Sequence, residues 1–222
     1  MSVTVAVDAN GADLGPAEVA AGAAIAAALG VKVLLFGDAE QIGEVAAGIE
    51  VVSAPLSIAK EADPARAARS NPEASIVQAA RAVAEGEADA LVSAGATGAT
   101  LAAGLFEIKR ARGIYRPALA TPVPIPGSPV TLLDVGANVE VRSEHLVQFA
   151  FMGAALATTV LGQERPRVAL LSNGSEASRG TAVVIEAGQQ LLAGTGSTFD
   201  FVGNIEGNDL AAGIADVIVT DG

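Results

Sequence analysis

The sequence predicts an α/β fold with a doubly wound, mainly parallel sheet and helices on both faces, an α/β/α sandwich. Short runs rich in Val, Leu and Ile alternate along the 222 residues with Ala-rich stretches of helical length, and this alternation is typical of βαβ units. Hydrophobic residues make up 51% of the chain but aromatic residues only 3%. The core must therefore consist of small aliphatic side chains, which suits helices packed closely on a parallel sheet.

The predicted strands are the β-branched runs at residues 3–7, 31–36, 49–52, 88–92, 130–135, 168–171, 199–202 and 217–219. The first helix begins at Pro16, a residue favoured in a first helical turn, and ends before Gly30. Asp38 is the predicted N-cap of the next helix, with Gln41 completing a capping box. Later helices are predicted at residues 71–86, 97–112, 142–161 and 181–192.

Two segments have no clear periodicity. Residues 54–71 are predicted to form a long loop that can include a helical turn, after which Asn71-Pro72 caps and starts a helix. Residues 117–129 hold five of the 10 prolines, which predicts a rigid connection or edge strands. We predict one domain over residues 1–222, with a lobe boundary in the segment 117–129.

Composition excludes several classes of function. The formal net charge of −12 argues against nucleic-acid binding, which needs a basic face. The chain has no cysteine and one histidine, His145, so thiolate chemistry and multi-histidine metal sites are excluded, and we predict neither a metal nor another cofactor. No apolar run approaches the ~20 residues of a membrane-spanning helix, and the chain enters a strand pattern at once, which predicts a cytoplasmic protein.

Polar or glycine-rich sequence follows five of the predicted strands. Because the carboxyl ends of parallel strands gather at one edge of a sheet, these segments predict a binding site there. The segments are residues 8–13, 93–98, 134–138, 172–180 and 203–209. The candidate residues for binding substrate or phosphate are Asp8, Asn10, Asp13, Gly95, Thr97, Gly98, Asp134, Asn138, His145, Gly180 and Glu206.

Two of these segments have the character of anion sites. The turn from Gly95 to Gly98 opens a helix, whose N–H groups and dipole can hold an anion; the alternative is a tight turn without a ligand. The segment 174–180 can wrap a phosphate with Arg179 as a charged clamp, although it lacks the Gly-Lys-Ser/Thr ending of a Walker A loop. His145 is either part of the site or a packing residue at the start of its helix.

Basic residues cluster in one stretch of this acidic chain, at Lys109, Arg110, Arg112 and Arg116. They are either a solvated helix end, favourable to the helix dipole, or a docking surface for an acidic partner.

Long motifs run in order along the whole chain and resemble those of a single family. They lie at residues 7–16, 88–99, 133–139, 144–153, 201–209 and 215–222, and include Val-Ser-Ala-Gly-Ala-Thr-Gly-Ala, Leu-Asp-Val-Gly-Ala-Asn-Val and Glu-His-Leu-Val-Gln-Phe-Ala-Phe-Met-Gly. The family they resemble is the bacterial phosphate acyltransferase (PlsX) family.

The resemblance implies a fold related to isopropylmalate dehydrogenase and phosphotransacetylase, usually in a homodimer. It implies transfer of an acyl group from acyl-carrier protein to inorganic phosphate, giving acyl phosphate for phospholipid synthesis. It also implies peripheral membrane association of the full-length family members.

This chemistry fits the side chains available. Phosphate is itself the nucleophile, so the site needs no Cys or Ser–His pair; it must hold a dianion and stabilise an oxyanion. We assign the catalytic roles to Arg179 and Asn204, and the basic stretch to carrier-protein docking.

The chain also departs from the family motifs. Ala96 stands where the family has Asn, Arg179 where it has Lys, Asn10 where it has Met and Ala12 where it has Gly, and the segment 66–76 lacks the family's Lys and paired serines. Family members continue past Gly222, so we expect either a fragment or a shortened homologue. Two alternatives follow: a catalytically weakened binding or regulatory homologue, or a subunit of a split enzyme. A third is a phosphotransacetylase-like enzyme that uses a coenzyme A thioester.

Overall fold

The computed structural model describes residues 2–125, 129–194 and 198–222. The chain divides into two compact units: unit 1, Met1–Arg110, and unit 2, Ala111–Gly222. This division lies upstream of the proline-rich segment 117–129, of which residues 126–128 lie outside the described residues. A single domain with its lobe boundary in that segment stays a prediction.

Unit 1 is a parallel sheet with helices on both faces. Its strands are β1 (Thr4–Asp8), β2 (Lys32–Gly37), β3 (Ile49–Ser53) and β4 (Ala90–Ser93), in the spatial order β3-β2-β1-β4. Its described helices are α1 (Pro16–Ala28), α2 (Ala39–Ile42), α3 (Pro64–Ser70), α4 (Ser75–Ala84) and α5 (Thr97–Ala103), which continues into a π-helical turn at Gly104–Ile108.

Alternation along the strands sends side chains to the two faces of this sheet. Val7 and Leu35 pack with Ala23 of α1 on one face. Ala6 and Phe36 pack with α4 on the other. The small residues of the helices let them approach the sheet closely, as the aliphatic composition predicts.

Unit 2 has a mixed sheet that is mainly parallel. Its strands are β5 (Ala120–Val123), β6 (Val130–Leu133), β7 (Arg167–Leu171), β8 (Asp200–Ile205) and β9 (Val217–Val219), in the order β5-β6-β9-β7-β8 with only β5 antiparallel to its neighbour. Its described helices are α6 (Ser143–Leu161) and α7 (Ala182–Gly194), and a 3₁₀ turn spans Gly207–Ala211. Both helices pack on the same face of the sheet, in one core cluster.

Helix α6 is the one helix of the described chain that is long and apolar enough to cross a membrane, which corrects the expectation that no apolar run reaches that length. Its inner face, including Leu146 and Phe149, is buried against Val168 and Val217, and core helices of globular domains pass the same test. Gly153 allows the close approach, because a Cβ there would lie 2.5 Å from Val217 Cγ1.

The observed start of the helix before β4 differs from the predicted one. Asn71 ends α3, its N–H donating to the Ala67 carbonyl, and α4 begins at Ser75. The prediction that Asn71-Pro72 starts this helix is therefore wrong, and part of the predicted loop 54–71 is the helix α3. The Ser75 hydroxyl is held at the helix start by a buried carboxylate, a long-range contact that local signals do not contain.

The cap at Asp38 is confirmed, since its Oδ1 accepts a 3.0 Å hydrogen bond from Glu40 N–H. The capping box is not formed as expected. The Gln41 side chain donates to Asp38 Oδ2 at 2.6 Å, while the Asp38 N–H donates to Asn10 Oδ1 at 3.4 Å. This links α2 to the loop after β1.

Candidate functional site

Asp8 lies at the centre of a buried polar network at the carboxyl edge of the unit 1 sheet. It ends β1, pairs in register with Ser93 of β4 and is 3% exposed. Its Oδ1 accepts a 2.6 Å hydrogen bond from Ser75 Oγ, and its Oδ2 accepts a 2.9 Å bond from Ser93 Oγ. Burial raises the pKa of Asp8, although the bonds from Ser75, Ser93 and the Asn10 amide counteract this. The carboxylate thus holds β1, α4 and β4 together.

Asn10 extends this network to the neighbouring loops. Its Nδ2 donates to the Ala54 carbonyl at 2.9 Å and to Ser75 Oγ at 3.1 Å, and its Oδ1 accepts from Asp38 N–H. Asn10 is 6% exposed, and these bonds engage both polar ends of its side chain. Its role in binding substrate stays a prediction.

The turn after β4 is fixed by the same network. The Gly95 N–H donates to Ser93 Oγ at 3.1 Å, and a Cβ on Gly95 would lie 3.1 Å from the Asn10 carbonyl. A Cβ on Gly98 would lie 3.0 Å from Pro64 Cγ. Both glycines therefore serve close packing, as the tight-turn alternative expects, and anion binding by this turn stays a prediction.

Three other residues of interest are Ala96, which packs against the core, and two exposed polar residues. Ala96, the N-cap of α5, makes no side-chain capping bond. Thr97 and Asp13 are exposed, Asp13 in the loop between β1 and α1. Both stay predicted binding residues.

Asp134 and Asn138 form the polar centre of unit 2 at the end of β6. The buried Asp134 carboxylate accepts bonds of 2.8–3.1 Å from the N–H groups of Leu119, Ala137 and Asn138 and from Asn138 Nδ2. Asn138 Nδ2 also donates to the Pro117 carbonyl at 2.8 Å. The pair fastens the loop after β6 to the segment before β5.

His145 is buried at the start of α6. Its Nδ1 accepts a 3.1 Å hydrogen bond from the Arg142 N–H, so the proton of the neutral ring lies on Nε2. Burial lowers the pKa of His145, the charge of Arg116 lowers it further, Glu144 raises it and Arg142 lowers it. The lowered pKa favours the neutral ring. Tyr115 lies edge-on to it, with ring centroids 6.3 Å apart.

The loop 172–180 presents a cation at the end of β7. Asn204 of β8 donates from Nδ2 to the carbonyls of Glu176 at 3.0 Å and Arg179 at 3.3 Å, and the Arg179 N–H donates to the Glu176 carbonyl at 2.9 Å. The Arg179 side chain is 60% exposed and its Nε lies 3.4 Å from Glu176 Oε2. An exposed pair of this kind is weak, so the guanidinium can exchange Glu176 for an anionic ligand.

Small residues close this loop. Gly180 has φ +103°, in the region that favours glycine. A Cβ on Gly174 would lie 2.7 Å from Arg179 Cγ, so the arginine stem rests on the loop backbone. Ser172 Oγ is a buried hydroxyl without a hydrogen-bond partner among the described residues.

Glu206 follows β8 and caps the 3₁₀ turn. Its N–H donates to Asp209 Oδ2 at 2.9 Å, and its backbone carbonyl accepts from the Asp209 N–H at 2.9 Å. Its role in binding stays a prediction.

The structure brings the predicted site residues into contact in three groups: Asp8, Asn10 and Gly95; Asp134 and Asn138; and Arg179, Gly180 and Asn204. Sequence reasoning missed Ser75, which lies 67 residues from Asp8, because no spacing rule joins them. Among the described residues, no group of three or more acidic or histidine side chains could hold a metal ion.

Both units are thus α/β folds with polar loops at the carboxyl ends of their strands, the arrangement of small-molecule binding proteins and enzymes. The model of the family described as "Fatty acid synthesis protein" matches residues 3–222. The chain belongs to this family.

Relatives with the name phosphate acyltransferase match nearly the whole chain. The relative from Listeria innocua is 42% identical over 224 residues, 98% of this chain and 66% of the relative. The one from Desulforamulus reducens is 45% identical over 227 residues, 99% and 67%, and the one from Lacticaseibacillus casei is 46% identical over 224 residues, 98% and 65%. The chain spans about two thirds of the length of these relatives.

Two solved structures share the fold. EutD phosphotransacetylase from Staphylococcus aureus has a TM-score of 0.67 at 21% identity and covers 98% of this chain and 77% of its own. A branched-chain phosphotransacylase from Enterococcus faecalis has a TM-score of 0.66 at 18% identity, covering 98% and 78%. At this identity the likeness establishes the α/β fold alone.

Proposed function

We propose that this chain transfers an acyl group from acyl-carrier protein to inorganic phosphate, giving acyl phosphate for phospholipid synthesis. The observation that carries the proposal is the 42–46% identity to relatives named phosphate acyltransferase over nearly the whole chain. A phosphate oxygen attacks the thioester carbonyl, the tetrahedral oxyanion collapses, and the carbon–sulfur bond breaks. The carrier protein leaves as the thiolate and takes up a proton.

Arg179 is proposed to hold the phosphate. It is exposed, it lies on a loop whose backbone Asn204 fixes, and its pairing with Glu176 is weak enough to be displaced. A guanidinium can bind two phosphate oxygens in parallel, which orients one of the other two for attack. Asn204 and Gly180 keep this loop in place.

The remaining predicted residues are proposed to contact substrate through their loops. Thr97 and Gly98 present backbone N–H groups at the start of α5, where charge on an anion or oxyanion is favoured, while Gly95, whose N–H already donates to Ser93 Oγ, would let a substrate approach the turn closely. His145, neutral at neutral pH, can donate a hydrogen bond from Nε2 but adds no positive charge. Asp134 contributes indirectly, because its carboxylate already accepts four bonds.

A hydroxylamine assay tests the activity. Purified protein receives acyl-carrier protein and phosphate, and acyl phosphate is trapped as hydroxamate. Arg179→Ala should lower turnover at subsaturating phosphate by about 10- to 100-fold, the worth of a charged hydrogen bond, and Arg179→Lys should recover part of it by keeping the charge. Arg165→Ala is the matched control, since this arginine is also exposed and paired, with Asp200, but lies outside the loop.

The outcomes separate the alternatives. Hydroxamate formed only from acyl-coenzyme A would favour the phosphotransacetylase-like enzyme. No hydroxamate, together with phosphate binding that depends on Arg179, would favour the weakened binding homologue or split-enzyme subunit, which the departures at Ala96 and Arg179 motivate. Equal activity of the Arg179→Ala and Arg165→Ala variants would refute the site.

We also propose that the basic stretch receives the acidic carrier protein, that the protein is a cytoplasmic homodimer, and that full-length relatives associate peripherally with membranes. The four basic residues of this stretch are all exposed and lie beyond the end of the helical turn at Ile108. They are Lys109, Arg110, Arg112 and Arg116. Carrier-protein binding that is insensitive to salt and to Arg112→Glu would contradict the docking assignment, and sedimentation of a monomer would contradict the dimer.

A further inference from the structure

The first turn of α6 is capped by an ionisable side chain, His145. The His145 N–H donates to the Arg142 carbonyl at 3.0 Å, and its Nδ1 accepts the Arg142 N–H at 3.1 Å. This reciprocal pair has the form of a capping box, in which the residue at the position of His145 is usually Glu or Gln. An imidazole differs from a Gln amide in that it takes up a proton near neutral pH.

The described geometry of this cap requires a neutral ring. A proton on Nδ1 would turn this atom from an acceptor into a donor, so two N–H groups would face each other and the Arg142 N–H would lose its partner. The charged ring would also place a positive charge in the first turn of a helix, where the helix dipole disfavours cations. Because His145 is only 7% exposed, the charged ring cannot be solvated in place and has to move.

Most of the charges around the ring also oppose its protonation. Three charged groups act on it: Arg116, Arg142 and Glu144. Burial lowers the pKa of His145, Arg116 lowers it further, and the adjacent Glu144 counteracts them only in part. The neighbouring elements contribute uncharged side chains, since α7 contacts Ser143 through Gln190 and the loop after β6 contacts Arg116 through Asn138.

The segment 113–117 is held by the same end of α6. Tyr115 lies edge-on to His145, with ring centroids 6.3 Å apart. Gln148, one turn after His145, holds the backbone of the segment with both ends of its amide. Its Nε2 donates to the Gly113 carbonyl and its Oε1 accepts the Tyr115 N–H, both at 2.8 Å. A disturbance of the first turn of α6 therefore reaches this segment directly.

We propose that His145 is a pH-sensitive cap that controls the attachment of the segment 113–117 to α6. With a neutral ring the cap is closed and the segment is held. With a protonated ring the cap opens, the first turn of α6 frays and the segment is released. Arg116 belongs to this segment, so its release also moves a positive charge away from the ring and favours the open form. This device is independent of the proposed acyl transfer.

The chain allows a direct test, because it has one histidine, one tyrosine and no tryptophan. The histidine ring resonance in NMR follows the protonation of His145, and tyrosine fluorescence follows the segment. As the pH falls from about 8 to about 5, on either side of the usual histidine pKa, quenching of Tyr115 by the uncharged quencher acrylamide should rise. Its midpoint should equal that of the His145 titration. Tyr115 is already 54% exposed, so complete release raises the quenching constant by at most about twofold.

Two substitutions at His145 reproduce the two states of the cap. His145→Gln supplies an acceptor that does not titrate, so quenching should stay at the high-pH value of the wild type throughout. His145→Ala removes the acceptor, so quenching should stay at the low-pH value. Gln148→Ala is the control for release by another route: quenching should be high at every pH while the His145 resonance still titrates.

Hydrogen exchange of the Tyr115 N–H gives a second measurement. After correction for the effect of pH on intrinsic exchange, it should be about tenfold faster with the protonated ring, the effect of one or two lost hydrogen bonds. The exchange rate in His145→Gln should not change with pH after the same correction.

Three results would overturn the proposal. The first is quenching of Tyr115 that does not follow the His145 titration. The second is a His145→Gln variant with the pH transition of the wild type, and this variant keeps the test decisive even where His145→Ala does not fold. The third is loss of the far-ultraviolet circular dichroism at the same midpoint, because the transition would then be global unfolding and not the opening of a cap.

Discussion

Asn204 is predicted to act on activity by holding the loop 172–180, without touching the substrate. Its Nδ2 is shared between the carbonyls of Glu176 and Arg179 at 3.0 and 3.3 Å. A neutral hydrogen bond contributes about 0.5–1.5 kcal/mol, and this shared pair should stabilise the closed loop by about 1.4 kcal/mol, or tenfold in the opening equilibrium. Asn204→Ala should therefore open the loop about ten times more often, and Asn204→Asp more often still, because a carboxylate would face two carbonyl oxygens.

Amide hydrogen exchange measures this opening directly. The Arg179 N–H, which donates within the loop at 2.9 Å, should exchange about tenfold faster in Asn204→Ala, while the global unfolding free energy changes by less than about 0.5 kcal/mol. Phosphate affinity should fall with the exchange protection. A variant that loses turnover while Arg179 keeps its wild-type exchange rate would refute the reasoning and make Asn204 a residue in contact with substrate.

Three further predictions concern stability. Arg167→Ala should lower the free energy of unfolding in urea by about 2 kcal/mol, because the carboxylate of its partner Asp216 is buried. Arg165→Ala, which breaks an exposed pair with Asp200, should lower it by less than about 1 kcal/mol. Equal losses in the two variants would contradict this prediction. Gly153→Ala should destabilise by about 1–2 kcal/mol through overlap in the core, while Gly22→Ala should stabilise by about 0.5–1 kcal/mol; the same sign for both would refute the packing argument. The pKa of His145 is lower in the folded chain than in the unfolded chain, so the unfolded chain takes up the imidazole proton at a higher pH. The free energy of unfolding should therefore fall as the pH drops below about 6.5. If His145→Gln shows the same dependence of unfolding free energy on pH as the wild type, this prediction is wrong.

Strand periodicity predicted the elements of this fold well but not their neighbours. Every predicted strand is present within a few residues, and Val217–Val219 has the predicted bounds. We predicted that all strand ends lie along one edge of a sheet, but the described strands form two sheets. A β-branched run predicts a strand but does not predict which strand pairs with it. Strand β9 lies between β6 and β7, an order that depends on contacts made far apart in the chain.

The candidate site shows the same division between local and long-range information. The glycine-rich segments after the strands predicted polar groups at the carboxyl edges of the sheets. The pairing of Asp8 with Ser93 follows from the register of β1 and β4. The hydrogen bond from Ser75 to Asp8 could not be predicted from the sequence. The helix α4 begins at Ser75, where this bond is made, and not at Asn71, where the local capping signal is stronger. Asn204 was assigned to catalysis from its motif, while its contacts with backbone carbonyls become visible only in three dimensions.

The chain has a net charge of −12, so a phosphate site in it depends on local donors, and the two proposed anion contacts differ in their dependence on pH. At the turn after β4, a Cβ on Gly95 would lie 3.6 Å from Asp8 Oδ2, so an anion placed against this glycine would lie close to a carboxyl group that repels it when ionised. Burial raises the pKa of Asp8, and protonation of this carboxyl group would lower its repulsion of an anion, so anion binding at that turn should strengthen as the pH falls. Arg179 carries its charge at every accessible pH, so it can hold a dianion without proton uptake. For this reason we propose Arg179 as the phosphate contact.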